Sequence, residues 1–170
     1  MTRQPPLVRR ADPEDHAGVA RLTVAAYRAD GQLDDEHGYA DVLADVTTRA
    51  AHCEILVAAD GDVLLGAVAF VLPGTRYAEL SRPGEAEFRM LAVDPAAQRR
   101  GVARALVRAC VDRATVLGCG SMVICTRDRN SAALALYDSF GFVREPALDW
   151  TPVEGVNLLG LRLKLPTTAT

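Results

Sequence analysis

Apolar positions along this chain recur at two different spacings, and the changes between them mark out the elements. After a short opening strand, Leu7–Ala11, the residues Val19, Leu22, Ala26 and Tyr27 fall on one helical stripe. Asp12 caps that helix, Pro13 takes its first position, and Glu14 and Asp15 fill its first turn, which predicts a helix to about Arg28. The segment Ala29–Gly38 is polar, with Asp34, Asp35 and Glu36 in a row, and reads as a loop. Tyr39 to about Ala50 predicts a second helix with Val42, Leu43 and Val46 turned inward.

The spacing then shortens. Glu54–Ala59 and Val63–Leu72 are strand-like runs around Asp60-Gly61-Asp62, a hairpin turn of the Asp-Gly type. Pro73–Gly84 is a loop, and Glu85–Val93 is a strand ended by Asp94-Pro95. From Gln98 to about Leu117 the positions Val102, Leu106, Val107, Cys110, Val111 and Ala114 restore the helical period, and Gly118 and Gly120 end it. Ser121–Cys125 is a buried strand, Asn130–Phe140 a helix stopped by Gly141, and Phe142-Val143 the start of a strand. A loop, Pro146–Gly155, leads to a last strand, Asn157–Leu165, and a frayed tail. Strands alternating with helices, and a hairpin among them, predict a mixed α/β sheet.

Composition narrows the class. A chain of 170 residues, 49% apolar and 24% charged, suits one globular domain over residues 1–170. The net charge of −3 argues against a nucleic-acid partner, because such proteins present a basic face. The four cysteines form no CxxC pair and sit beside apolar residues, so they read as reduced, packed thiols. Met1–Pro6 lacks the apolar core of a signal peptide, and the longest apolar run, Val63–Leu72, is about half a membrane span. These features predict a cytoplasmic protein with no membrane partner. His16, His37 and His52 have no metal-ligand spacing, and no metal is expected.

The densest chemistry lies at the start of the central helix. A helix start offers unpaired N–H groups and the positive end of a dipole. Gly101 and the small Ala103 let an anion approach that backbone, and Gln98, Arg99, Arg100 and Arg104 surround it with donors. This has the makings of a diphosphate cradle. It is neither a Walker loop nor a dinucleotide fingerprint, because the glycines and the following Lys-Ser or Lys-Thr do not match. Taken alone, the same residues also fit a solvated basic surface.

The segment Gln98-Arg99-Arg100-Gly101-Val102-Ala103, after Leu91-Ala92-Val93-Asp94-Pro95, resembles the Q/R-x-x-G-x-G/A motif of the GNAT superfamily of N-acetyltransferases. Asn130-Ser131-Ala132-Ala133-Leu134-Ala135-Leu136-Tyr137-Asp138-Ser139-Phe140-Gly141-Phe142 resembles its second signature, N-x-x-A-x-x-L-Y-x-x-x-G-F. The likeness is sharp from about Glu85 to Arg144. It implies a mixed, mostly antiparallel sheet of about seven strands with splayed central strands, flanked by about four helices.

The resemblance also implies roles. Acetyl-CoA is the cosubstrate. Leu91, Ala92 and Val93 line its pantetheine arm, with the Leu91 N–H placed to polarise the thioester carbonyl. Gln98, Arg99, Arg100, Gly101, Val102, Ala103 and Arg104 hold the pyrophosphate, and Asn130 contacts the pantetheine or nucleotide. Tyr137 sits where the family often has the acid that protonates the departing thiolate, although a core aromatic explains it as well. Glu87 is a candidate base, with Glu85 or ordered water as substitutes, and either glutamate also fits a solvated strand start. The implied activity is acetyl transfer to a primary amine of a small molecule or peptide by direct attack in a ternary complex. Transfer of another acyl group and a non-catalytic coenzyme A sensor or adaptor are the alternatives. The acceptor is unknown, and assembly into a homodimer stays open. Cys125 ends the strand facing the cofactor cleft and reads as a buried thiol, with covalent relay as the alternative, while Tyr77, Trp150 and the run Asp34-Asp35-Glu36 are candidates around the acceptor.

Overall fold

Proline and aspartate dictate how the first helix begins. In the computed structural model, which describes residues 4–34 and 38–166, the Asp15 carboxylate accepts the Asp12 N–H and the Asp12 carbonyl accepts the Asp15 N–H around one 3-10 turn, Pro13–Asp15. The helix proper, α1 (His16–Ala29), follows with Val19, Leu22 and Ala26 buried as the stripe requires. Asp35, Glu36 and His37 lie outside the described residues, as do the first three residues and the tail from Thr167.

The chain divides into two compact units, Met1–Phe70 with Met90–Cys110, and Val71–Arg89 with Val111–Thr170. In the first, β1 (Leu7–Arg10), β2 (Glu54–Asp60) and β3 (Val63–Val71) form an antiparallel meander, with Val8 opposite Ala58 and Leu56 opposite Val68. Gly61, at φ +59, makes the expected turn.

The expected helix from Tyr39 to Ala50 is two helices, α2 (Tyr39–Ala44) and α3 (Val46–Ala50). Asp45 breaks them, and its side chain accepts the Thr48 N–H as the cap of α3. Arg49 is only 2% exposed and donates to the carbonyls of Val42 and Leu43, so a buried guanidinium closes the end of α2. Leu43 and Val46 are buried as expected, whereas Val42 is 43% exposed.

The unit also holds the end of β4 (Glu85–Val93) and most of α4 (Val102–Val116). At Gly66 on β3, a side chain would begin 2.7 Å from Val102 Cγ1 and 2.8 Å from the Ala92 carbonyl oxygen, so only glycine lets strand and helix close up.

The second unit contains the start of β4, then β5 (Ser121–Arg127), α5 (Ser131–Phe140), β6 (Val143–Arg144), β7 (Trp150–Val153) and β8 (Val156–Lys164). β5 and β8 pair antiparallel along the whole of β5. β4 and β5 are parallel, and their ladder covers Glu85–Glu87 with Ser121–Val123, although β5 runs on to Arg127. Pairing that stops so early is the local form of the expected splay. Strand β7 is a correction to the sequence reading, which held Pro146–Gly155 to be loop: Trp150–Val153 folds back on β8 as a hairpin. Eight strands among the described residues thus hydrogen-bond in the order β1-β2-β3-β4-β5-β8-β6, with β7 on β8, and five α-helices accompany them. Among the described residues, no helix is long and apolar enough to cross a membrane.

Candidate active site

In the first unit, the route from β4 to α4 is built of caps and left-handed turns. Asp94 anchors it: its N–H donates to Leu65, its carboxylate caps the Pro95–Ala97 turn through the Ala96 N–H, and Arg21 pairs with it at 3.2 Å. The helix was expected from Gln98, but Gln98 is extended and α4 begins at Val102. Between them Arg99 and Gly101 stand at φ +64 and +75.

Alternating backbone handedness of this kind turns successive N–H groups towards one concavity. The Ala105 N–H donates to the Gly101 carbonyl, so the N–H groups of Val102 and Ala103 lie ahead of that bond at the mouth of the helix. Val102, Leu106 and Val107 are buried and fix the helix, while Gln98, Arg99, Gly101 and Arg104 are exposed at the mouth. A side chain begun at Gly101 would meet no atom within 4 Å. Arg100, half-buried, pairs with Asp60 at 3.0 Å.

On β4, Leu91 and Val93 are half-buried and Ala92 is buried, so Ala92 has only backbone to offer a ligand. Met90, at φ +55, departs from strand geometry immediately before Leu91 and re-aims the peptide groups there.

The remaining candidates belong to the second unit. Asn130 caps α5, its Oδ1 accepting the Ala133 N–H at 3.1 Å, which leaves the amide nitrogen as a donor. Tyr137 is 5% exposed, and its ring lies 5.7 Å from Phe88 and 5.8 Å from Phe142, so it does pack as a core aromatic. Gly141, at φ +93, ends α5 and lets the Phe142 N–H return to the Tyr137 carbonyl.

Glu87 is 1% exposed. Its Oε1 accepts the N–H groups of Glu79, Leu80 and Ser81 at 3.0, 3.2 and 3.1 Å, and the Ser81 hydroxyl at 2.7 Å. Two residues on, Arg89 binds Glu79 at 2.7 Å and the Tyr77 carbonyl at 3.0 Å. Glu85 is bound elsewhere, to Arg162, Ser121 and the Arg82 N–H. Burial pushes the Glu85 carboxyl up, but those donors outweigh it and hold the group below the ordinary carboxylate range.

Sequence reading missed Glu79, Ser81 and Arg89. The available signal was the spacing of Glu87 and Arg89, which places two charged side chains on one face of a strand. Burial, with Arg89 opposing and Glu87 assisting, pushes the Glu79 carboxyl up. Burial first, and then Glu79, push the Cys125 thiol up to about 11, so it is protonated near neutrality and is no nucleophile. Trp150 Nε1 is buried, and His16 lies at the surface against Thr47. Among the described residues, no group of three or more His, Cys, Asp or Glu is arranged to hold a metal ion.

Known proteins resemble this chain in both sequence and fold. It is 37% identical to N-alpha-acetyltransferase 30 of Xenopus laevis over 76 residues, which is 45% of this chain and 28% of that protein. It is 41% identical to the [ribosomal protein bS18]-alanine N-acetyltransferase of Escherichia coli strain K12 over 58 residues, 34% of this chain and 39% of that enzyme. The match thus spans less than half the length of these curated relatives. In fold it is similar to the PaiA N-acetyltransferase of Thermoplasma acidophilum, solved in complex with coenzyme A: the TM-score is 0.74 at 13% identity, covering 95% of this chain and 99% of that one. The family model for the GNAT acetyltransferases matches residues 17–142, and the chain belongs to that family.

Proposed function

We propose that this protein moves an acetyl group from acetyl-CoA to a primary amine of a small molecule or peptide, by direct attack in a ternary complex, with residues 1–170 acting as one acetyltransferase domain. The mouth of α4 carries the reading: exposed backbone donors around Gly101, open space in front of them and Arg99 and Arg104 beside them suit a diphosphate. Gln98, Arg99, Arg100 and Arg104 and the amides of Gly101, Val102 and Ala103 hold that group, and Arg100 shares itself with Asp60. Backbone at Leu91, Ala92 and Val93 holds the pantetheine arm, aided by the Asn130 amide. Bound acetyl-CoA supplies an activated carbonyl and a thiolate leaving group.

The protein's own groups do the rest. The Leu91 N–H stabilises the negative charge that develops on the carbonyl oxygen. Glu87 takes the proton of the amine, directly or through water, and Tyr137 gives one to the thiolate. Relatives named for acting on protein N-termini support a peptide α-amine as acceptor. The described cysteines are all free, which supports a cytoplasmic setting, and a homodimer completes the proposal.

A non-catalytic coenzyme A sensor is the second reading, favoured by the structural duties that Glu87, Asn130 and Tyr137 already perform. Assaying coenzyme A release against small amines, antibiotics and peptides separates the two. Turnover on any amine selects the enzyme; tight acetyl-CoA binding with no turnover selects the sensor.

A further inference from the structure

The loop before β4 treats the two oxygens of Glu87 unequally. Three consecutive amides, from Glu79, Leu80 and Ser81, and the Ser81 hydroxyl all donate to Oε1. Among the described residues none donates to Oε2. A carboxylate serving only to anchor a loop has two equivalent oxygens for its donors, and sharing them relieves crowding. Here one oxygen takes all four donors and the other is left over, on a side chain that is 1% exposed and cannot swing away.

The holder is itself held. Arg89, two residues along the same strand, grips the loop through the Glu79 carboxylate and the Tyr77 carbonyl. The charged or titratable groups facing Glu87 are therefore Glu79 from the loop, Arg89 from its own strand and Cys125 from β5.

We propose that Ser81 is a positioning residue for proton transfer: with the amides of residues 79–81 it pins Glu87 Oε1, so that Oε2 faces the acceptor amine. In that step the N–H bond of the ammonium breaks, its electron pair stays on nitrogen for the attack, and an O–H bond forms on Oε2. The proposal rests on Glu87 being the base.

Ser81→Ala, Ser81→Thr and Glu87→Gln are compared with wild type in the full-length chain. The readouts are release of coenzyme A thiol with butylamine, 1,4-diaminobutane and an alanine-terminated tetrapeptide, and melting temperature. Glu87→Gln is expected to lose about 100-fold or more in kcat, the usual contribution of a general base. Ser81→Ala is expected to lose about tenfold in kcat with KM for acetyl-CoA unchanged, and Ser81→Thr, which keeps the hydroxyl, to recover most of it.

A Ser81→Ala protein that melts lower but turns over at the wild-type rate, beside an inactive Glu87→Gln, overturns the positioning role alone. An active Glu87→Gln removes Glu87 as the base. Wild-type protein inactive on all three probes overturns the acetyltransferase reading, and this inference with it.

Discussion

Gly101 offers a direct test of the diphosphate cradle, because the cost of changing it separates into two parts. The residue holds φ +75, and a side chain there meets nothing within 4 Å. An alanine therefore brings no clash, only the cost of a left-handed conformation, about 1–2 kcal/mol. For a chain of this size that lowers the melting temperature by about 2–8 °C. Gly118, at the other end of α4, has φ +76 and the same empty surroundings. Gly118→Ala should thus lose a similar amount and serves as a control matched for strain.

The parts diverge when acetyl-CoA is added. At about 100 times its dissociation constant, a ligand stabilises the folded state by about 2.7 kcal/mol, or about 5–11 °C here. Differential scanning fluorimetry should show that shift in wild type and in Gly118→Ala. Gly101→Glu places a carboxylate where the phosphates approach and should abolish it. If Gly101→Glu keeps the full shift, the diphosphate is held elsewhere and the cradle argument fails.

Three further changes probe the rest of the molecule. Tyr137→Phe keeps the ring packed against Phe88 and Phe142 and removes only the hydroxyl. It should lower kcat while leaving acetyl-CoA affinity unchanged, and unaltered turnover would reduce Tyr137 to packing. Gly66→Ala forces a methyl to within 2.8 Å of the Ala92 carbonyl oxygen and should cost about 1–3 kcal/mol, read as a lower melting temperature. The Glu85 carboxyl is held below its ordinary value of 4.5, so its contribution to stability is present above that pH and is lost as pH falls through the folded value. Glu85→Gln should melt lower than wild type at pH 7, and the gap should narrow below about pH 4.5; a gap constant with pH would refute the linkage.

What could be read from the chain was what nearest neighbours decide. The α1 stripe and the hairpin at Gly61 are local, and each lies where spacing put it, whereas α4 begins at Val102 and not at Gln98. The failures came from contacts between segments. Nothing in the period of residues 39–50 shows that the Arg49 guanidinium turns inward to close α2, so one helix was expected where two stand. Pro152 and the short run around it disguised β7, whose pairing is supplied by β8. Ser81 and Glu79 looked like ordinary loop residues, because their significance comes from a carboxylate on the next strand.

The three-residue ladder between β4 and β5 also leaves part of one flank of β5 unused by β4. An unpaired strand flank is a template for other chains, and most proteins shield it with charges, prolines or bulges at the sheet's rim. From Ile124 onward β5 is bonded fully to β8 on one side, while its other flank lies inside the strand order, not at either end. Beyond Val123 the ladder with β4 uses none of that flank's N–H and carbonyl groups, and unused backbone groups of this kind are what an added extended chain pairs with.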